Sequence, residues 1–223
     1  MAVRTGWVVA AAVAVTAAFG VFQLQKPEHA LSSKHAAGSA SAPTASSGSK
    51  QLELQLQVLT KRLTAVRGEL VALESLDTVP MLSPAGLAAR ETLEGNLERL
   101  RKNITLNDEL HYLQGEGARL SGQGASPEDA QELARLAALS QRATRLGIDS
   151  RKHLANAAEV VRQNWGQWKL QGGAVRFSSV VDQQKYDAEL ERSTALAEQA
   201  EQAHAQAAEQ VRDAKTAHEA KQP

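Results

Sequence analysis

The longest periodic pattern in the chain is a run of leucine and valine residues spaced alternately four and three apart. The run, which we call the seam, consists of Leu52, Leu56, Leu59, Leu63, Val66, Leu70 and Leu73. This spacing fills the a and d positions of a heptad repeat and predicts a helix over about residues 51–76. The seam indicates either a coiled coil with a second copy of the chain or a helix that packs on its own bundle. Leu54 and Val58 widen the apolar face, which favours the bundle.

Further apolar stripes predict four more helices. Their approximate bounds are residues 84–114, 127–146, 150–165 and 179–220. Ser83 before Pro84 and Ser126 before Pro127 are typical helix starts. The glycines from Gly115 to Gly124 predict a loop, and Gly147 predicts a helix end, with Asp149 or Ser150 as the next cap. The short connections favour an antiparallel helical bundle.

The last predicted helix is long and poor in large apolar residues. Its heptad-like stripe is made of alanines, at Ala197, Ala200, Ala207 and Ala214. Alanine buries little apolar area. This helix is therefore expected either to pack closely on a groove of small residues or to project from the bundle.

One segment has the two-residue period of a strand instead of a helical period. Trp168, Leu170, Val175 and Phe177 alternate with polar residues on either side of the pair Gly172-Gly173. Glycine at both central positions suits the positive φ angles of a tight turn. The pattern predicts a β-hairpin over about residues 167–178, in which Leu170 pairs with Val175 and Trp168 with Phe177.

The hairpin segment also holds most of the aromatic residues that lie after the leader. The candidate core or interaction residues are Trp165, Trp168, Leu170, Val175, Phe177 and Tyr186. Because an isolated hairpin is marginal in water, its apolar face should lie against the helices. The alternative is a ligand or partner surface built on exposed aromatic rings.

The N-terminal residues 1–25 are expected to be a membrane helix. No charged residue occurs from Thr5 to Gln25, a length of about 30 Å at 1.5 Å per residue. Arg4 precedes the run, as in signal anchors and in secretory signal peptides. Apolar residues continue to Leu24, beyond each small-residue motif that a signal peptidase could cleave. This favours a retained anchor over a cleaved signal.

Residues 26–50 change to alanine, serine and glycine, a composition that predicts a disordered linker. We expect the chain to cross the bacterial inner membrane once, with the C-terminal domain in the periplasm. The alternative is a soluble periplasmic protein after signal cleavage.

Charge and composition exclude several classes of function. The 25 basic and 25 acidic residues balance, so the chain lacks the basic surface of a nucleic-acid-binding protein. It has no cysteine, and its six histidines lack the spacings of metal sites. No nucleophile elbow or phosphate-binding loop occurs. The sequence thus predicts no catalytic residue, no metal ligand and no cofactor.

The segment Gly173-Ala174-Val175-Arg176-Phe177, followed by Tyr186-Asp187-Ala188-Glu189-Leu190, resembles the YiaF-like family of bacterial envelope lipoproteins. That family also places a small hairpin before a last helix, and it is functionally uncharacterised. The lipid-modified cysteine of the family is missing here. The resemblance implies an envelope-facing helical domain and no site residues.

These features together predict an all-α fold with an N-terminal membrane helix, a flexible tether, a helical bundle with one small hairpin, and a long C-terminal helix. The expected function is that of a structural or adaptor module of the cell envelope. The expected partners are the membrane and either a second copy of the chain or another envelope protein. A sensory or small-ligand-binding bundle, with a pocket beneath Trp165 and Trp168, is the alternative. A secreted enzyme is a distant third.

Overall fold

The computed structural model describes residues 44–74, 80–123 and 125–219, and these are mostly helical. The elements are α1 (Thr44–Glu74), α2 (Arg90–Gly122), α3 (Pro127–Gln163), β1 (Trp168–Gln171), β2 (Ala174–Phe177) and α4 (Val180–Glu219). The prediction of a helical fold with one small antiparallel hairpin is confirmed. The predicted membrane helix and most of the predicted linker lie outside the described residues.

Each helix packs chiefly on its neighbours in the sequence. α1 contacts α2, α2 contacts α3, and α3 contacts α4, while β2 lies against α4. α3 and α4 run antiparallel, since Ser150 contacts Ser193 and Arg135 contacts Gln210. The fold is thus a series of helices in which α1 and α4 are the two outer members.

α3 is one continuous helix, so the predicted division into helices 127–146 and 150–165 is wrong. Ser126 caps its start as expected, accepting a hydrogen bond from the Asp129 backbone N–H. The helix then passes through Gly147, because the next residue, Ile148, is fully buried. Burying a side chain of this size offsets the cost of about 1 kcal/mol for glycine inside a helix. Neither predicted cap acts as one, since Asp149 pairs with Arg145 on the same helix.

α2 begins later and ends later than predicted. The Ser83 hydroxyl accepts a hydrogen bond from the Gly86 backbone N–H, which makes a local turn in place of the expected helix start at Pro84. At the other end, the helix continues through Gly115 to Gly122. The buried side chain of Leu120 stabilises this extension, because it packs in the cluster shared with α1. The predicted loop over Gly115–Gly124 is therefore wrong for most of its length.

α1 begins at Thr44, so the predicted linker does not extend to residue 50. Each residue added to a nucleated helix forms one more backbone hydrogen bond, and α1 continues in this way through the serine and glycine residues before the seam. α4 matches its predicted bounds to within one residue at each end.

α3 and α4 approach closely because small residues line their interface. Ala143 and Ala157 on α3 are fully buried, and Ala200 and Ala207 on α4 are buried to more than nine-tenths. Of the two alternatives for the last helix, packing on a groove of small residues is the one observed. Ala197 of the predicted alanine stripe is exposed, and Ala214 is half-buried.

Candidate interaction surfaces

The hairpin has the register that the sequence predicts. Trp168 pairs with Phe177 and Leu170 with Val175, and the strands are antiparallel. The turn residues Gly172 and Gly173 have φ angles of 59° and 80°, which side chains other than glycine rarely adopt. The alternation of apolar and polar residues therefore fixes which face of the hairpin meets the helices.

Most of the candidate aromatic residues attach the hairpin to the bundle. The rings of Trp165 and Trp168 meet edge to face with centroids 5.3 Å apart, and Phe177 contacts Tyr186 at 5.5 Å. The indole N–H of Trp168 donates to the backbone oxygen of Val161 at 3.2 Å. These rings surround a cluster that continues into α2 and α3.

Burial distinguishes the core members of this set from the others. Val175 is 2% exposed and Tyr186 is 5% exposed, and burial raises the pKa of Tyr186 to about 12. Trp165, Trp168 and Phe177 are half-buried at the rim. The set is thus chiefly a packing cluster, as expected if the apolar face of the hairpin lies against the helices.

The hairpin end nevertheless exposes apolar side chains. Val180 is 71% exposed, Val181 is 60% exposed, and Leu170 is also open to solvent. Val180 and Val181 form the first turn of α4, directly after the hairpin. We call these three residues the hairpin-end group. Sequence reasoning missed the two valines because they fit the start of an ordinary amphipathic helix.

The seam is covered within the chain. Leu59, Leu63, Val66 and Leu70 are buried, and Leu52, Leu56 and Leu73 are partly buried beside them. Their partners are leucines of α2, namely Leu106, Leu110, Leu113 and Leu120. Arg62 and Glu109 form an ion pair at the edge of this contact. The seam is therefore the contact between α1 and α2.

α1 also exposes large apolar side chains. Leu54 is 62% exposed, Val58 is 61% exposed, and Val71 is similarly open. The expectation that Leu54 and Val58 widen the face packed in the bundle is wrong. They lie on the other side of the helix, because two residues turn an α-helix by about 200° from the seam positions Leu52 and Leu56. We call Leu54, Val58 and Val71 the α1 group.

A half-buried polar cluster joins α3 to α4 below the hairpin. His153 Nδ1 lies 2.7 Å from a Glu189 oxygen, and the Asn156 amide donates to the same oxygen at 3.1 Å. Burial alone would raise the pKa of the Glu189 carboxyl, but these hydrogen bonds outweigh it and lower the pKa. The cluster thus holds a charged carboxylate and stabilises the contact between the two helices.

The described residues form open grooves away from the tryptophans. One, of about 470 Å³, runs between the end of α2 and the start of α3 and is lined mainly by glycine and alanine. Another, of about 390 Å³, lies beside Glu98, Arg101 and Arg162. The space beneath Trp165 and Trp168 is instead occupied by the packing cluster, which includes Val161 and Val175. The structure therefore gives no support there to a ligand pocket.

No group of three or more potential metal ligands occurs within residues 44–74, 80–123 and 125–219. No helix in this described part is long and apolar enough to cross a lipid bilayer. Comparison with protein-family models, curated proteins and solved structures found no match to this chain. The resemblance of residues 173–190 to the YiaF-like family therefore stays a prediction from the sequence.

Proposed function

We propose that the protein is a structural or adaptor module of the bacterial cell envelope. Its N-terminal leader is retained as a single membrane helix, and its helical domain lies on the periplasmic side. The domain acts by binding other proteins through its surface. The uncharged run from Thr5 to Gln25 supports the membrane helix, and the exposed apolar residues of the helical domain support the binding role.

The observation that carries the proposal is the distribution of exposed large apolar residues. Among the described residues these are Leu54, Val58, Val71, Tyr112, Leu170, Val180 and Val181. Three belong to the α1 group and three to the hairpin-end group. Neighbouring exposed apolar side chains are typical of protein interaction sites, and Leu54 with Val58, one helical turn apart, and the adjacent Val180 and Val181 form two such pairs.

The placement of the two groups suits an adaptor. α1 and α4 are the outer helices of the series, so one group lies on an outer helix and the other at the start of the opposite one. A module of this kind can hold two partners at once.

Photo-crosslinking in cells tests this function. A photoreactive amino acid at Val180 or Val181 of the full chain should give a discrete adduct with an envelope protein. The control position is Glu201, an exposed residue further along the same helix. Equal labelling at all three positions, or recovery of the chain from the cytoplasmic fraction, would contradict the proposal.

A further inference from the structure

α1 carries a second stripe of residues besides the seam. It consists of Leu54, Val58, Lys61, Ala65, Gly68 and Ala72, and all six are exposed. Each lies two positions after a seam residue, and two residues turn an α-helix by about 200°. This outer stripe therefore faces away from α2, on which the seam packs.

The outer stripe repeats the alternate spacing of four and three residues. This heptad spacing lets two helices lie side by side over several turns. From Leu54 to Ala72 the stripe covers about 27 Å of helix at 1.5 Å per residue. It is thus long enough to hold a second helix along most of α1.

Side-chain size changes abruptly halfway along the outer stripe. The first three residues, Leu54, Val58 and Lys61, are large, and the last three, Ala65, Gly68 and Ala72, are small. A Cβ added at Gly68 would meet no atom of the chain within 4 Å. The second half of the stripe is therefore a shallow depression in which larger side chains of another helix can lie.

We infer that a second copy of the chain packs antiparallel on the outer stripe. In this arrangement Leu54 lies opposite Ala72, Val58 opposite Gly68, and Lys61 opposite Ala65. A twofold axis repeats each pair, so the same surface serves both copies. Every layer then joins a large side chain to a small one, which gives the dense packing of protein interiors without a clash.

The charges on α1 also favour an antiparallel pair over a parallel one. A parallel pair would place Lys61 against Lys61 and Gly68 against Gly68, which opposes like charges and leaves a gap. In the antiparallel pair, Lys61 lies opposite Ala65, one helical turn from both Glu69 and Lys61 of the second copy. Because a helical side chain leans towards the N-terminus of its own helix, each Lys61 leans towards that Glu69 and away from the other Lys61. Its aliphatic stem covers the alanine while its ammonium group reaches towards that carboxylate.

The pairing rests on the proposed function, because the contact is too small to be stable without a membrane anchor. One stripe buries less than the roughly 800 Å² per partner of a standard stable complex. Pairing therefore depends on a raised local concentration, which anchoring in one membrane supplies. The inference assigns the α1 surface to a second copy and leaves the hairpin-end group for another partner.

Disulfide cross-linking in membranes tests the pairing directly, because the natural chain has no cysteine. The test protein is the full chain carrying both Val58→Cys and Gly68→Cys. These positions are about 15 Å apart along one helix, so a disulfide between them must join two chains. Mild oxidation should give at least about tenfold more covalent dimer than the control pair Val58→Cys with Glu201→Cys.

Further variants test whether the two helices are antiparallel and whether the dimer depends on the outer stripe. Leu54→Glu added to the double-cysteine chain should abolish the dimer without changing thermal unfolding, because Leu54 is exposed. Equal dimer from Val58→Cys alone would show a parallel pair and overturn the inference. Absence of dimer from a chain that is in the membrane and gives the Val180 adduct would overturn this inference and leave the proposed function standing.

Discussion

The hydroxyl of Ser150 on α3 donates a hydrogen bond of 2.8 Å to the backbone carbonyl oxygen of Ser193 on α4. A serine side chain reaches the backbone of a neighbouring helix only where the two helices approach closely. The fully buried Ala143 and Ala157 on α3 show why they can, since neither holds the helices apart. The contact explains how a helix with few large apolar residues is held in the fold.

A larger side chain at Ser150 should destabilise the protein. We expect Ser150→Leu to lower the free energy of unfolding by about 3 kcal/mol, because overpacking and the loss of the Ser150 hydrogen bond act together. Ser150→Ala should cost only about 1 kcal/mol, the usual contribution of a hydrogen bond. Chemical denaturation followed by circular dichroism measures both. The exposed Ala195→Leu on α4 is the size-matched control and should change stability little.

The hairpin cluster should contribute to stability in the order of burial. Tyr186→Ala should cost about 3 kcal/mol or more, as expected for a large buried aromatic residue. Trp168→Ala should cost about 2 kcal/mol, because its ring is half-buried and its N–H bonds to Val161. Leu170→Ala should cost less than about 1 kcal/mol. A large loss for Leu170 and a small loss for Tyr186 would contradict this order of burial.

Stability should also depend on pH through Glu159. Its hydrogen bond from Arg162 outweighs burial and lowers the pKa of this carboxyl from 4.5 to about 2. Because the folded-state pKa is below that of the unfolded chain, the contribution is present above about pH 4.5 and is lost as the pH falls towards 2. Glu159→Gln should therefore lower the melting temperature at pH 7 and lose this effect towards pH 2. The exposed Glu191→Gln serves as the control, and a pH-independent difference at Glu159 would contradict the assignment.

Two glycines of α2 should respond differently to alanine. Gly95 has open space where a Cβ would lie, so Gly95→Ala should stabilise the helix by up to about 1 kcal/mol. At Gly115 the new Cβ would collide with the amide of Gln141, which must move. Gly115→Ala should therefore gain less than Gly95→Ala or destabilise the protein. Melting temperatures of the two variants give the comparison, and an equal gain would show that Gln141 moves freely.

Local patterns in the sequence predicted the elements whose geometry depends on nearby residues. The hairpin register follows from alternation around Gly172-Gly173, and the start of α3 follows from its cap at Ser126. The errors occur at Gly115 and Gly147, where burial against another helix outweighs the local preference of glycine to end a helix. The outward direction of Leu54 and Val58 was missed for a related reason. Apolar periodicity shows that a residue can be buried but not whether a neighbouring helix covers it.

The central claim is that an uncleaved leader holds the helical domain outside the cytoplasm. The most direct measurement is the intact mass of the protein in the membrane fraction, with a C-terminal reporter that is active only outside the cytoplasm. The account predicts the full 223-residue chain in the membrane and an active reporter. A mature protein that begins near residues 18–21 in a soluble fraction, or a reporter that stays inactive, would contradict it.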